Sequence, residues 1–189
     1  TSDINAWVGL FKEYQELLGI PVDMNVVFSK LFNHALTGNA DCGGILSYNY
    51  ISGEPVTGLS EGRPLFVRSA NDKFNLANFI RTHLYASVGV LKLGNDILFN
   101  DEKVRVDRIT GHGGLFKTKG VGQRILAAAI NSPISVMETA GEGGAWGIAL
   151  LASYLVNNTN KQSLADYLDE VVFAGDAGVE IKPTKEDVA

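Results

Sequence analysis

The chain of 189 residues has one cysteine, no excess of basic residues and no long apolar run, and each shortage removes a class of protein. Cys42, the lone thiol, cannot form an internal disulfide, so a secreted scaffold stapled by cystines is excluded and a reducing cytoplasm is the expected compartment. Its residue type predicts a small buried apolar side chain. The formal charge of −5, from 16 Lys and Arg against 21 Asp and Glu, gives no electrostatic reason to bind a polyanion, so no nucleic-acid partner is expected. No apolar run reaches the ~20 residues of a membrane span, and no basic segment followed by an apolar one opens the chain. A soluble protein without a membrane partner is therefore expected. No Cys or His cluster has metal-ligand spacing, no Ser/His/Asp arrangement can be argued, and no carboxylate stands out as a base, so neither a catalytic residue nor a metal ligand is assigned.

What is present is ordinary for a globular domain: 46% hydrophobic and 20% charged residues, enough chain for one domain with a core. Residues 1–189 are read as a single domain. The chain begins at Thr1-Ser2-Asp3 and ends where Thr184 and Asp187 have the spacing of a capping box, which reads as a piece of a longer polypeptide. Asn157-Asn158-Thr159 matches the glycosylation pattern, a frequent chance match given no weight here.

Apolar residues at helical spacing (Ile4, Trp7, Val8, Phe11, Tyr14 and Leu18) predict a helix over residues 3–18, and Asp23 caps a second, with Met24, Val27, Phe28 and Leu31 on one face. Trp7 and Phe11 are expected in the core. A strand is predicted over 45–51 and a weaker one over 65–68. From Asn71 or Asn75 a long helix is predicted to about Phe99, with a stripe of Leu76, Phe79, Ile80, His83, Leu84, Val88, Leu91 and Ile97, in which His83 is read as a satisfied core residue. Strands then alternate with helices: 104–110 strand, 121–130 helix, 134–137 strand, 145–156 helix, which implies parallel pairing through right-handed crossovers. Ser163 caps a further helix to Val172, and 175–183 reads as a turn-rich exit.

The chemistry concentrates at the two strand-to-helix junctions. The first is Gly111-His112-Gly113-Gly114, followed by Lys117, Thr118 and Lys119. Glycines allow close approach of a ligand, lysines supply charge, and Thr118 offers a hydroxyl to a ribose or base. It is not a P-loop, for no Gly-Lys-Ser/Thr follows, and a dinucleotide fingerprint needs glycine where Phe116 stands. The residues by themselves leave open a ligand loop or a tight turn, and His112 a phosphate contact or a solvated side chain. The second junction is Thr139-Ala140-Gly141-Glu142-Gly143-Gly144. Glu142 suits a helix start but repels phosphate, so this turn is expected to meet the adenine or ribose end of a nucleotide, or to act only as a cap. Close packing of helix on sheet is the other reading of Gly143, Gly144 and Gly147.

Together, Gly113-Gly114-Leu115-Phe116-Lys117-Thr118, Gln123, Pro133-Ile134 and residues 142–152, Glu-Gly-Gly-Ala-Trp-Gly-Ile-Ala-Leu-Leu-Ala, resemble the C-terminal domain of the FGGY carbohydrate kinases. Upstream, Ser52-Gly53-Glu54 resembles that family's Ser-Gly-Glu-Arg element, and the long helix from Asn75 falls where the family has its interdomain helix. The resemblance covers roughly residues 43–158. It implies an α/β domain of the RNase H-like, actin-like ATPase fold, a mixed sheet with flanking helices, as the ATP-binding part of a two-domain sugar kinase. By that likeness Gly113, Gly114, Leu115 and Thr118 line the adenosine and phosphate side, and Gly147 shapes the helix beneath it and counts with the nucleotide-binding residues. Partners implied are ATP, Mg²⁺ and a sugar, xylulose being preferred over ribulose, gluconate or another polyol; many relatives form dimers, so a homodimer is one expectation. A non-catalytic actin-like nucleotide-binding module and a ligand-free structural domain are the competing readings. The sequence departs from the family pattern at Pro55, Asn49 and Trp146. The family's catalytic aspartate, its Mg²⁺ carboxylates and its first glycine-threonine phosphate loop have no counterpart here, so the segment alone is expected to be inactive.

Overall fold

The amphipathic repeat near the start of the chain forms α1 (Ser2–Leu17), which buries Ile4 and Val8. The structure, a computed structural model, describes residues 2–106, 108–158, 161–174 and 178–188. Asp23 then caps α2 (Met24–Ala35), its carboxylate accepting from the Asn25 amide at 2.9 Å, and Val27, Leu31, Phe32 and Ala35 turn inward. This cap satisfies one of the helix's otherwise unpaired first-turn N–H groups.

Strands β1 (Leu46–Tyr48) and β2 (Leu65–Val67) pair antiparallel as a separate two-stranded sheet. β1 is shorter than the span predicted over 45–51, because Ile51 leaves the pairing for an isolated bridge to Gly53. Asn75 caps α3 (Leu76–Ala86) through the Asn78 amide. The single long helix predicted here is two: Ser87 ends α3 by donating to the Leu84 carbonyl at 2.6 Å, and α4 (Gly89–Asp96) starts afresh behind Val88. Serine that satisfies its own helix's carbonyl, followed by glycine, outweighs the continuing apolar stripe. Accordingly Phe79, Ile80, His83, Leu84 and Val88 are buried, whereas Leu76, Leu91 and Ile97 are exposed.

The second sheet has the order β3-β4-β5. β3 (Ile109–Thr110) runs parallel to β4 (Ile134–Val136), with α5 (Val121–Ile130) between them in the chain. β5 (Val179–Ile181) is antiparallel to β4, so the sheet is mixed. The strand predicted over 104–110 is pared to its last two described residues, and Asp107 lies outside them. The predicted turn-rich exit contains β5, an edge strand; its Gly175 lies outside the described residues, as do Thr1, Ala189 and the Thr159 of the glycosylation triplet. α6 (Gly143–Asn157) is apolar nearly all round, and Ile148, Leu155 and Val156 stay exposed. α7 (Leu164–Tyr167), capped by Ser163, runs on into a wide helical turn, Leu168–Val172. Among the described residues no helix is long and apolar enough to cross a membrane.

One core joins α1, α2, α3, α5 and β4 through Ile4, Val8, Leu31, Ile80, Leu84, Ile125 and Ile134. Each side chain of this size, fully buried, contributes about 1.5–3 kcal/mol. Trp7 and Phe11 pack on its flank as expected. Cys42 is buried, and that burial raises its thiol pKa against the lowering effects of Thr82 and Arg81. Thr184 caps α8 (Lys185–Val188), its Oγ1 accepting from the Asp187 amide at 3.2 Å, while the other half of the predicted box is replaced by the Thr184 hydroxyl donating to Asp187 Oδ2 at 2.8 Å. The Asp187 carboxylate reaches inward, 2.6 Å from both Arg81 Nη2 and Arg124 Nε, and ties α8 to α3 and α5.

Candidate functional site

β3 ends where the first glycine turn begins, and the turn's shape follows from its glycines. Gly111 still pairs with the sheet, its N–H donating to Ser135 O at 2.8 Å. A Cβ on Gly111 would lie 2.4 Å from Phe116 Cζ, so the ring folds back into space only glycine leaves free. Gly113 has φ of 107°, a backbone region that favours glycine. The chain then forms one tight turn, Gly114–Phe116, and enters α5 behind Gly120. Gly122 lets α5 approach this turn, since a Cβ there would sit 2.6 Å from the Leu115 carbonyl oxygen. Gln123 is buried, and its amide donates to Ile134 O at 3.1 Å and Val179 O at 2.6 Å, fixing α5 to β4 and β5.

The second turn braces the first. Gly113 N–H donates to Ala140 O at 2.7 Å, and Lys117 Nζ lies 2.6 Å from Glu142 Oε1. A Cβ on Gly143 would come within 3.1 Å of His112, so close packing explains that glycine, while Gly144 and Gly147 face open space. Glu142 thus meets a lysine of the first turn, and the repulsion it would offer a phosphate is locally offset by that partner.

Between the first turn and the helices α1 and α2 lies a cleft of ≈ 750 Å³. Gly114, Leu115, Lys117, Thr118 and Lys119 form one wall; Ile4 and Asn5 of α1 and Asn25, Phe28, Ser29, Phe32 and Asn33 of α2 form the other. Of the residues singled out from the sequence, Gly114, Leu115 and Thr118 come together here, with Gly113 at the hinge of their turn. Gly147 does not: it lines a smaller apolar hollow of ≈ 330 Å³ with His112, Trp146, Leu150 and Phe173. Lys119 makes no ion pair among the described residues, so the turn side presents an uncompensated positive charge in a protein that is negative overall.

The helix wall was not foreseen from the sequence. Asn25, Ser29 and Asn33 stand four residues apart on an amphipathic helix, a visible polar row, but only tertiary packing brings that row opposite the glycine turn. His83 lies elsewhere, stacked against Phe66 and tilted against Trp7, whose ring also touches Phe66. Its Nδ1 is 3.3 Å from Ser47 Oγ and 3.5 Å from Asp3 Oδ2, and its buried Nε2 has no hydrogen-bond partner among the described residues, so it is a core residue satisfied there on one side only. Burial lowers its pKa against the opposing pull of Asp3.

The cleft offers a glycine-lined edge, an ammonium with no ion-pair partner among the described residues, a hydroxyl, amide groups and aromatic faces, the set that suits a nucleotide or another phosphorylated small molecule. Comparison with known proteins follows the same line. The family model for the FGGY family of carbohydrate kinases, C-terminal domain, matches residues 1–156. Among solved structures, xylulose kinase from Lactobacillus acidophilus superposes with a TM-score of 0.64 at 20% identity over 84% of this chain and 30% of that one. Gluconate kinase from the same organism gives 0.63 at 20% identity, again over 84% and 30%. Plasmodium falciparum glycerol kinase, solved with ADP, gives 0.56 at 19% identity over 85% and 30%. These matches support the actin-like ATPase fold, and the chain spans about a third of the length of those kinases. No curated protein sequence matches the chain.

Proposed function

We propose, from the premise that this chain belongs to the FGGY family of carbohydrate kinases as a C-terminal domain, that its cleft holds the ATP of a sugar kinase. The observation that carries the reading is the convergence of Gly114, Leu115, Thr118 and Lys119 on one wall of that cleft. Residues 1–189 then act as one nucleotide-binding unit of the RNase H-like type, and the sugar is bound chiefly by a part of the protein outside this chain.

In this reading Gly114, without a side chain, lets the nucleotide lie against the backbone. Gly113 sets the direction of the turn, Leu115 adds apolar contact and the Thr118 hydroxyl hydrogen-bonds the ribose or phosphate. Lys119 attracts the polyphosphate, and the Lys117–Glu142 pair holds the two turns in register. Gly147 acts at a distance, on the helix that carries the second turn. In the transfer itself a sugar hydroxyl oxygen bonds to the γ-phosphorus as the bond to the bridging oxygen breaks, releasing ADP. Among the described residues no group of three His, Cys, Asp or Glu could hold a metal ion; the protein ligands of the Mg²⁺ that accompanies ATP are assigned to the rest of the protein, and no step is assigned to the ion. The catalytic base is likewise assigned to the rest of the protein, and the 189-residue chain alone is inactive.

Xylulose is the proposed sugar, and a homodimer and cytoplasmic location go with the reading. The test is ADP release by a full-length protein carrying this domain, with xylulose, ribulose, gluconate and glycerol offered in turn. Release that depends on one sugar, xylulose first, is expected. Release independent of every sugar would instead favour an actin-like nucleotide-binding module.

A further inference from the structure

A second cavity, of ≈ 490 Å³, lies between β1 and the helices α3, α4 and α5 and shares no residue with the nucleotide cleft. That volume is within the range of small-molecule sites. Its inner end is formed by the buried residues Cys42, Ile45, Thr82 and Ala128, whereas Asp41, Leu46, Tyr48 and Leu93 are exposed and stand at its mouth.

The polar groups of the inner end already have partners. The Asp187 carboxylate takes four donors, one from Arg81, two from Arg124 and one from Thr184. Thr82 Oγ1 donates to Asn78 O at 2.8 Å, and Tyr85 Oη accepts from Arg81 Nη2 at 3.4 Å. What this end still offers a ligand is apolar surface, which suits a ring without charge. The mouth offers something else. Asp41 Oδ1 accepts from the Gly43 amide at 2.9 Å, and its Oδ2 has no hydrogen bond among the described residues. The rings of Tyr48 and Tyr50, both lining the cavity, stand 5.8 Å apart and tilted at 53°. Among the described residues no Lys or Arg lines it.

A carboxylate with an unused oxygen and aromatic faces around one opening attract a cation, the first by a charge-assisted hydrogen bond and the second through the ring quadrupole. At the mouth an ammonium keeps part of its hydration and escapes the penalty of a fully buried charge. We infer that this cavity is a second ligand site, for an aromatic amine whose ring enters the inner end and whose ammonium is held at the mouth by Asp41 and the Tyr48 face. An aromatic carboxylate is rejected there by repulsion from Asp41. The site stands independently of the nucleotide reading.

The test is calorimetric titration of tryptamine, indole and indole-3-acetate, one ring system carrying a positive, no and a negative charge, into the wild-type chain, Asp41→Asn and Ala86→Leu. Asparagine keeps an acceptor for the Gly43 amide without the charge. Ala86 lines the cavity at the end of α3, so leucine there fills the space for the ring while remaining a good helix former. Circular dichroism checks that each variant folds. The wild type is expected to bind tryptamine about threefold to thirtyfold more tightly than indole, with indole-3-acetate the weakest. Asp41→Asn should lose most of the tryptamine preference with indole affinity unchanged, and Ala86→Leu should weaken tryptamine and indole together. A folded wild type that binds no tryptamine, or binds the three probes equally, overturns the proposal. So does a tryptamine preference unchanged in Asp41→Asn, or undiminished binding by a folded Ala86→Leu.

Discussion

Replacing Asp187 by alanine strips the counter-ion from a buried guanidinium and is the most damaging single change that these contacts predict. Arg81 is 1% exposed, its Nη2 lies 2.6 Å from Asp187 Oδ1, and its Nε has no partner among the described residues. Arg124 grips the other carboxylate oxygen at 2.6 Å but is partly open to water. Breaking a buried pair by removing one partner costs about 3–5 kcal/mol, because the remaining charge keeps its desolvation penalty without its compensation. For a domain of this size that lowers Tm by roughly 6–20 °C. Burial alone would raise the Asp187 pKa, but hydrogen bonds from Arg124, Arg81 and Thr184 outweigh it and hold the carboxyl at about 2 against an ordinary 3.8. The folded state thus binds fewer protons than the unfolded one as pH falls below 3.8. The linkage is worth about 2 kcal/mol, present in full above that pH and lost toward pH 2. Urea unfolding followed by circular dichroism at pH 7 measures the first effect, and the same curves at pH 5, 4 and 3 measure the second. An Asp187→Ala protein within about 1 kcal/mol of wild type at pH 7, well below the roughly 3 kcal/mol expected, would refute the reasoning.

His83 titrates in a different window. Its folded pKa lies below the ordinary 6.5 because of burial, so the neutral ring is favoured in the fold and stability is lost as pH falls below 6.5; urea midpoints at pH 7 and 5.5 should fall for the wild type and fall less for His83→Gln. At the glycine turns, Gly122→Ala drives a Cβ to within 2.6 Å of the Leu115 carbonyl oxygen and Gly113→Ala forces alanine to a φ of 107°. Each should cost about 1–3 kcal/mol in thermal melts, while Gly144→Ala, with open space around its Cβ, should cost far less. The Lys117–Glu142 pair is exposed on both sides, 57% and 75%, so Glu142→Gln should change stability by less than about 1 kcal/mol in the same melts.

The helices were legible because their signals are local. Asp23 and Asn75 cap where the spacing of apolar residues says a helix must begin, and Thr184 caps the helix that its spacing to Asp187 predicted. The break at Ser87 was not legible, since one hydroxyl bond to Leu84 O had to be weighed against a stripe that continues through Leu91. β5 was missed for another reason: three residues acquire strand geometry only from pairing with β4, more than forty positions earlier by the register Ile134 to Ile181. At the site, the glycine turns stood out as turns, but the partners of their side chains did not. Nothing local to Glu142 points to Lys117, and nothing local to Asn33 points to Gly114. Gly147 was grouped with the turn by resemblance, and it lies in a separate hollow because α6 carries it away from the cleft.

The central claim is that the first glycine turn is one wall of a nucleotide cleft, and Gly114→Val tests it most directly. A Cβ on Gly114 meets nothing within 4 Å, so valine fills cleft space without a clash in the fold. Calorimetric titration of ATP and ADP into the folded chain should give single-site binding that Gly114→Val abolishes, with the circular dichroism spectrum and urea midpoint unchanged. A folded chain that binds neither nucleotide, or binds them equally well with valine at that position, would contradict the account.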